Sequence, residues 1–435
     1  MGYISIIADD LTGASDTGIQ FRKYGLKTKV ILDIDELGQF LDHEEILAIN
    51  SNTRPLNGEK AYKIVYDICC LLKQAGFGRI YKKVDSTFRG NPGIELEAVM
   101  DGLNSNLAIL APSFPDNGRY MIDGYLKVSP VYAGTKDEGL TDTINQTDQQ
   151  LGHIPTIIQK QMKRKVASID LETVRQGISA ILSKVEKLCA KGYQVMIIDA
   201  ETKEDLENIA LACKSLPEET VMAGSAGFAS FLPKVLDLPT NILKQSPSKK
   251  GIILAVAGTC NPTTRTQIDQ VIKNTDAILI KIDTDRIING MTGEEVENVV
   301  GKMRQLNKTD EVNGKISIIA VDSLFKLNLD TYPIKQWGKT IAKAIGEIVG
   351  RLVDEQMVKS LVITGGDTAL HVLNALKAKG IDLEEEVLPG IPLGRLIGGK
   401  ASDIPVITKA GGFGTPTALL EVIQHLQTKE KTRVC

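Results

Sequence analysis

The sequence predicts an α/β protein built as two domains. Apolar runs typical of buried strands alternate with amphipathic helical runs, as at Tyr3 to Ala8, Ile46 to Asn50 and Gly58 to Gln74. The chain has 435 residues, more than a single hydrophobic core usually supports. Several strands end in carboxylates or glycines directly before a helix, which is typical of ligand sites in open α/β sheets.

The alternation lapses at residues 237–250, where prolines, serines and lysines replace the periodic apolar residues. We therefore predict a first domain at residues 1–236, a linker at 237–250 and a second domain at 251–435. Within the first domain, the periodicity predicts one long helix from Glu172 to Ala190. Within the second, it predicts a helix from Ala369 to Lys379.

The composition excludes several classes of protein. The net charge is only −3, so no overall charge favours nucleic acid or a membrane surface as a partner. No apolar run reaches the roughly 18 residues of a membrane span, and the amino terminus lacks a secretion signal. The six cysteines and four histidines lack paired ligand spacing, which predicts free thiols and no structural metal. We expect a cytoplasmic protein that binds small molecules. Its oligomeric state stays open, a homodimer included.

Two adjacent carboxylates, Asp9 and Asp10, leave the carboxyl end of the first strand just before a helix. A helix cap needs only one acid, so the second indicates a ligand. Arg54 lies in the polar loop after a later strand and supplies a fixed cation.

A basic loop follows the strand from Arg79 to Lys83. Its charged and hydroxyl side chains are Lys82, Lys83, Asp85, Ser86, Thr87 and Arg89. Such a loop is often merely solvated, but cations at the carboxyl end of a strand would suit a small anionic substrate.

The second domain carries three glycine-bearing turns after strands, at Gly258, Gly365-Gly366 and Gly411-Gly412. Glycine lets the backbone approach a ligand closely, and free helix N–H groups favour phosphate, so three converging turns would make a nucleotide site. No GxGxxG fingerprint occurs, which argues against a dinucleotide-dependent dehydrogenase. Gly394 to Lys400 has the spacing of a Walker A loop, but Ala401 replaces the hydroxyl that would hold Mg²⁺, and we treat the match as coincidence.

Seven motifs, in order, resemble those of the four-carbon acid sugar kinase family: IADDLTGA at 7–14, YKKVDSTFRGN at 81–91, APSFPDNGR at 111–119, GSAG at 224–227, TGGDTA at 364–369, PGIPLG at 389–394 and TKAGGFG at 408–414. The resemblance implies two α/β/α domains facing across a cleft, the first binding substrate and the second nucleotide. It also implies ATP- and Mg²⁺-dependent phosphorylation of a four-carbon sugar acid of the threonate, erythronate or 3-oxo-tetronate type. We expect the terminal hydroxyl to be the acceptor.

The resemblance implies roles for individual residues. Substrate contacts fall on Asp10, Arg54, Lys82, Lys83, Val84 and Asp85, to which the loops described above add Asp9, Ser86 and Arg89. Nucleotide contacts fall on Gly258, Thr259, Gly365, Gly366, Asp367, Thr368, Gly411 and Gly412, with Thr364 beside them. No metal ligand is assigned.

A sugar hydroxyl needs a carboxylate to accept its proton, and Asp9, Asp10 and Asp85 are available. We place Asp85 first as this base, because neighbouring cations would keep it ionised, and Asp10 first as the residue that orients the substrate. Either acid could hold either role, and Asp85 could instead only cap its turn or pair with Lys83. A non-catalytic nucleotide or sugar-acid sensor is the alternative function, but the presence of all three acids favours an enzyme.

Overall fold

The computed structural model describes residues 4–41, 46–85, 87–128, 152–236, 238, 251–307, 315–326 and 334–432. The chain divides into two compact units, an N-terminal unit at Met1–Leu243 and a C-terminal unit at Lys244–Cys435. The linker predicted at 237–250 lies outside the described residues, apart from Leu238.

The N-terminal unit is built on a sheet of parallel strands. Its strands are β1 (Ile4–Ala8), β2 (Thr28–Ile31), β3 (Ile46–Asn50), β4 (Arg79–Lys83), β5 (Ala108–Ala111), β8 (Val166–Ile169), β9 (Val195–Ile198) and β10 (Val221–Gly224). They lie in the order β2-β3-β1-β4-β10-β5-β9-β8. A separate antiparallel hairpin joins β6 (Arg119–Ile122) to β7 (Tyr125–Val128). Every residue of β1 and β3 is buried, because parallel strands are normally covered on both faces.

Helices connect these strands. They are α1 (Leu11–Arg22), α2 (Gly58–Gln74), α3 (Pro92–Leu103), α4 (Ile154–Gln161), α5 (Leu171–Arg175), α6 (Ile178–Ala190), α7 (Lys203–Lys214), α8 (Ala226–Ala229) and α9 (Leu232–Val235). The single helix predicted from Glu172 to Ala190 is wrong. Gly177 lies between α5 and α6 with a φ of 95°, a conformation that ends one helix and that glycine adopts without strain.

The C-terminal unit also contains strands that pair with one another. Its strands are β11 (Ile252–Ala257), β12 (Ile278–Ile282), β13 (Ile316–Val321), β14 (Val358–Thr364), β15 (Gly380–Leu388), β16 (Ile391–Ile397) and β17 (Pro405–Lys409). They lie in the order β12-β13-β11-β14-β17-β16-β15, with β16 antiparallel to both of its neighbours. The helices are α10 (Pro262–Asn274), α11 (Thr284–Ile288), α12 (Thr292–Asn307), α13 (Ile334–Asp354), α14 (Gly366–Ala375) and α15 (Ala418–Thr432).

The segment after α14 differs from the sequence expectation. The helix predicted from Ala369 to Lys379 spans Gly366–Ala375 instead, and the hairpin of β15 and β16 was not predicted. The acidic residues of β15 interrupt the alternation of apolar and polar residues that would predict a strand. One of them, Glu384, pairs with Arg395 on the neighbouring strand, at 2.6 Å between Oε1 and Nε. The Walker-like segment begins inside β16 and no helix follows it, which confirms the coincidence. Within the described parts of the chain, no helix is both long and apolar enough to span a membrane.

Candidate active site

The strand order of the N-terminal unit brings three predicted loops together. Strands β3, β1 and β4 are parallel neighbours, so the loops at their carboxyl ends share one edge of the sheet. These loops carry Arg54 after β3, Asp9 and Asp10 after β1, and Asp85 after β4. We call these four side chains the acid–arginine cluster.

Arg54 lies at the centre of this cluster. Its Nε and Nη2 donate to the two oxygens of Asp9 at 2.8 and 3.0 Å. Its Nη1 donates to Asp10 Oδ2 at 2.7 Å, and Nη2 lies 3.2 Å from Asp85 Oδ1. Burial lowers the pKa of Arg54, but the three carboxylates raise it by more than burial lowers it. The net shift of the Arg54 pKa is upward, so the guanidinium stays charged. One cation therefore contacts all three acids.

Asp10 is both the N-cap of α1 and a member of the cluster. Its Oδ1 accepts from Gly13 N at 2.7 Å, and its Oδ2 accepts from Thr12 Oγ1 at 2.7 Å. Burial raises the pKa of Asp10, but Arg54 and Lys83 lower it more, and the net shift is downward. Its side chain is 17% exposed, the most accessible of the three acids.

Asp9 is the acid whose pKa moves towards neutrality. Its side chain is only 4% exposed, and burial raises its pKa to about 6 against the opposing effect of Arg54. Although Asp9 is the more enclosed of the two, its carboxylate and that of Asp10 both reach the same Arg54 guanidinium.

Asp85 anchors a second arginine. Arg89 Nε and Nη2 donate to its two oxygens at 2.8 and 3.0 Å, and Thr87 Oγ1 donates to Oδ2 at 2.5 Å. Burial raises the pKa of Asp85, but Arg54, Arg89 and Thr87 outweigh it and hold the pKa well below its usual range. The Arg89 side chain is 64% exposed, so Asp85 fixes a cation that faces solvent.

The two lysines at the end of β4, Lys82 and Lys83, are buried. Lys82 Nζ lies 2.8 Å from Glu95 Oε2 on α3, with both side chains almost fully buried. Lys83 is also buried, and its Nζ donates to Val84 O at 2.9 Å. Val84 itself is buried beside β10. The side chains of Lys82, Lys83 and Val84 are thus all enclosed, and their contact with substrate stays a prediction. Ser86 lies outside the described residues.

Glu95 was missed by the sequence analysis. The available signal was an acid between Ile94 and Leu96 in the first turn of a largely apolar helix. Such an acid needs a buried partner, and Lys82 is that partner.

In the C-terminal unit, the three glycine-bearing turns converge. They follow β11, β14 and β17, which are parallel neighbours. Gly365 N donates to Lys409 O at 2.8 Å. A Cβ at Gly258 would lie 2.3 Å from Thr368 Oγ1, and a Cβ at Gly411 would lie 2.9 Å from Thr259 Oγ1. Glycine at both positions therefore allows the turns to pack against one another.

The turn after β14 leads into α14. Gly365 is the N-cap, with a φ of 102°, and it has no side chain with which to cap the helix. The first backbone N–H groups of such a helix have no partner within it, and the helix dipole favours an anion there. Thr364 and Thr368 are buried, whereas Asp367 is exposed at this helix end. The described turns thus offer the donors that bind phosphate.

The C-terminal unit also holds an acidic triad, Asp283, Asp285 and Asp322, with ligand atoms within 4.8 Å of one another. Lys326 Nζ lies 2.9 Å from Asp285 Oδ2 and 3.0 Å from Asp322 Oδ2. Thr284 N and Oγ1 donate to Asp322 Oδ1 at 3.0 and 2.5 Å. A Mg²⁺ ion would compete with an ammonium that already sits among these oxygens. The triad therefore fits a lysine-centred cluster rather than a magnesium site.

Two family models match the chain along most of its length. A model described as a sugar-binding N-terminal domain matches residues 4–232, and one described as a nucleotide-binding C-terminal domain matches residues 254–419. A sugar-binding domain and a nucleotide-binding domain joined in one chain are the two parts that a small-molecule kinase needs.

Curated relatives narrow this class. A D-threonate kinase of Bordetella bronchiseptica is 31% identical and a D-erythronate kinase of Heliobacterium modesticaldum is 30% identical, each match covering at least 98% of both chains. A 3-oxo-tetronate kinase of Pseudomonas savastanoi is 26% identical over 97% of both chains. The chain belongs to the four-carbon acid sugar kinase family, whose members are ATP-dependent phosphotransferases acting on a hydroxyl group. Nothing among these relatives supports the sensor alternative.

Solved structures share the fold. A structure from Salmonella typhimurium LT2 superposes with a TM-score of 0.76 at 22% identity, over 97% of this chain and 99% of that one. A Haemophilus influenzae protein superposes with a TM-score of 0.68 at 22% identity, over 97% of this chain and all of that one.

Proposed function

We propose that this kinase transfers the γ-phosphoryl group of ATP to the terminal hydroxyl of a four-carbon sugar acid. The names of the relatives supply the substrate class: threonate, erythronate or 3-oxo-tetronate. The observation that carries the proposal in the structure is the acid–arginine cluster with Arg89 exposed beside it, since it offers both a carboxylate for the hydroxyl and a cation for the acid.

Arg89 is the proposed partner of the substrate carboxylate. Arg54 is already committed to three acids, and Lys82 is paired with Glu95. Arg89 remains 64% exposed while Asp85 fixes its orientation through two hydrogen bonds. A preset guanidinium binds a planar carboxylate at a smaller entropic cost than a free side chain would.

Asp10 is the proposed acceptor of the hydroxyl proton. As the hydroxyl oxygen bonds to the γ-phosphorus, its proton passes to the Asp10 carboxylate, the bond to the bridging oxygen breaks and ADP leaves. The sequence analysis placed Asp85 first for this role. Both acids have a lowered pKa and accept hydrogen bonds at both oxygens, and the greater exposure of the Asp10 side chain, 17% against 6%, now favours Asp10.

ATP is proposed to bind at the three converging turns through its phosphates. The contacts fall on Gly258 and Thr259, on Thr364, Gly365, Gly366, Asp367 and Thr368, and on Gly411 and Gly412. Mg²⁺ is proposed to enter with ATP, held mainly by phosphate oxygens and water, as is usual for this ion.

The experiment is an ADP-release assay with ATP, Mg²⁺ and a panel of D- and L-threonate, D- and L-erythronate and 3-oxo-tetronates. We expect one or a few of the acids to be turned over, and NMR of the product to show phosphate on the terminal carbon. A protein that binds ATP but turns over no member of the panel would contradict the proposal.

A further inference from the structure

Lys409, the last residue of β17, is almost fully buried at 1% exposure. Its Nζ donates to three backbone carbonyls of the turn that follows, Ala410 O at 2.9 Å, Gly411 O at 3.3 Å and Phe413 O at 3.1 Å. Among the described residues no carboxylate pairs with it. Burial lowers the pKa of Lys409 to about 7, and its amino group finds its hydrogen-bond partners in the turn itself.

A second set of donors holds the same turn from α10. Thr264 Oγ1 donates to Gly411 O at 2.9 Å. Gln267 Nε2, on a fully buried side chain, donates to Phe413 O at 3.0 Å and to Thr415 O at 2.9 Å. The carbonyls of the turn thus face the interior of the unit on two sides.

This arrangement fixes the direction of the neighbouring N–H groups. The described peptide bonds are all trans, and a trans peptide points its C=O and the next N–H in opposite directions. With the carbonyls of 410, 411 and 413 directed at Lys409, the N–H groups of Gly411, Gly412 and Gly414 point away from it. In the described part of the chain these three groups have no backbone acceptor, and their residues are partly exposed.

We propose that Lys409 is a positioning residue for the nucleotide: it turns the carbonyls of the 410–413 turn inward so that the N–H groups of Gly411, Gly412 and Gly414 face an ATP phosphate. Successive outward N–H groups of this kind form an anion-binding concavity. In its protonated form the Lys409 amino group supplies three donors, which matches the three carbonyls. The inference rests on the proposed placement of ATP at the three turns.

The test is Lys409→Met, which keeps the length of the side chain and removes its donors. Binding of ATP, ADP and adenosine is measured by calorimetry, and the KM of the sugar acid by steady-state kinetics. A backbone N–H group that turns away from the phosphate loses one charge-assisted hydrogen bond, which is worth about a factor of ten or more. We therefore expect ATP and ADP to bind at least about tenfold more weakly. Adenosine affinity and the KM of the sugar acid stay within about twofold, because neither ligand uses these N–H groups at the phosphate.

The matched control is Lys359→Met. Lys359 is also buried, at 5% exposure, but lies near the amino end of β14, away from the turns. It should leave the affinities for ATP and adenosine unchanged. Lys409→Gln keeps an amide with two donors and should lose less ATP affinity than Lys409→Met. It also serves as the test variant if Lys409→Met does not fold.

Two outcomes overturn the inference: unchanged ATP affinity in the folded Lys409 variants, or equal losses for ATP and adenosine, which would indicate general collapse. Gly366→Val separates this inference from the placement of ATP. If Gly366→Val leaves ATP affinity unchanged, ATP does not bind at these turns. If Gly366→Val weakens ATP binding and the Lys409 variants do not, only the role of Lys409 fails.

Discussion

The Arg54 guanidinium binds both oxygens of the Asp9 carboxylate, with Nε 2.8 Å from Oδ2 and Nη2 3.0 Å from Oδ1. The same group reaches Asp10 and Asp85, which follow neighbouring strands. Three carboxylates this close repel one another, so the cluster depends on its cation. Arg54 therefore maintains the site's structure before any substrate binds.

We predict that Arg54→Ala lowers the unfolding free energy of the N-terminal unit by about 3–5 kcal/mol, since it leaves the enclosed carboxylate of Asp9 without its cation and three acids close together. Protonation relieves their repulsion, so the loss should be smaller near pH 5 than near pH 8. Urea denaturation at both pH values measures it. The control is Lys63→Ala, which breaks an exposed ion pair with Asp67 and should change stability little. An equally small effect of both variants would show that the cluster does not depend on Arg54.

Asp9 makes stability depend on pH in the opposite sense from the other two acids. Its native pKa is raised to about 6 from 3.8, so the native state binds the proton more tightly than the unfolded chain does. The resulting stabilisation is complete below about pH 4 and is lost as the pH rises through about 6. Compared with Asp9→Asn, the wild type should lose about 2 kcal/mol of unfolding free energy between about pH 4 and pH 6. Parallel curves of unfolding free energy against pH would contradict this prediction.

The sequence predicted where the site lies better than what each residue does there. Apolar runs that end in polar residues mark the strand ends at Asp9, Asp10, Arg54 and Asp85, and the parallel strand order then brings them together. The same pattern predicts the three glycine turns. Spacing along the chain carries this information because the carboxyl ends of parallel strands share one edge.

Roles depend on partners that are distant in sequence. Lys82 and Lys83 look alike in the sequence, but only the fold places Glu95 of α3 beside Lys82. Likewise, cations near Asp85 predicted an ionised base, but only the fold shows that Arg54, Arg89 and Thr87 all contact its carboxylate and lower its pKa. The hairpin of β15 and β16 was missed for a similar reason, since its acidic strand is stabilised by cross-strand partners such as Arg395.

If Arg89 binds the substrate carboxylate, Arg89→Ala should raise the KM of the sugar acid at least about tenfold, the value of one charge-assisted hydrogen bond. The corresponding sugar alcohols, threitol and erythritol, lack the carboxylate. They should be poor substrates of the wild type and lose little further in the variant, which steady-state kinetics will measure.

Arg79→Ala is the matched control for Arg89, because Arg79 begins β4 at the opposite edge of the sheet and pairs with Glu218 at 3.0 Å. Arg79→Ala should leave the KM of the sugar acid and the KM of the sugar alcohols unchanged. Equal turnover of the acid and the alcohol by the wild type would instead mean that no cation recognises the carboxylate.

The proton acceptor is tested by comparing Asp10→Asn with Asp85→Asn. Both changes keep the shape of the side chain and remove its negative charge. General-base catalysis contributes about 10²–10⁴-fold, so Asp10→Asn should lower kcat by that order with the KM of the sugar acid little changed. Asp85→Asn should mainly raise that KM, because Arg89 loses the carboxylate that orients it.

The two variants also control for each other, because each removes one acid from Arg54 and so perturbs the cluster similarly. The two variants should therefore lose comparable amounts of unfolding free energy. They should differ in which kinetic constant changes, kcat in Asp10→Asn and the KM of the sugar acid in Asp85→Asn. The opposite division, in which Asp85→Asn lowers kcat by several decades at an unchanged KM while Asp10→Asn stays active, would return the role of base to Asp85. Asp10 would then serve as the cap of α1 and the residue that orients the substrate hydroxyls.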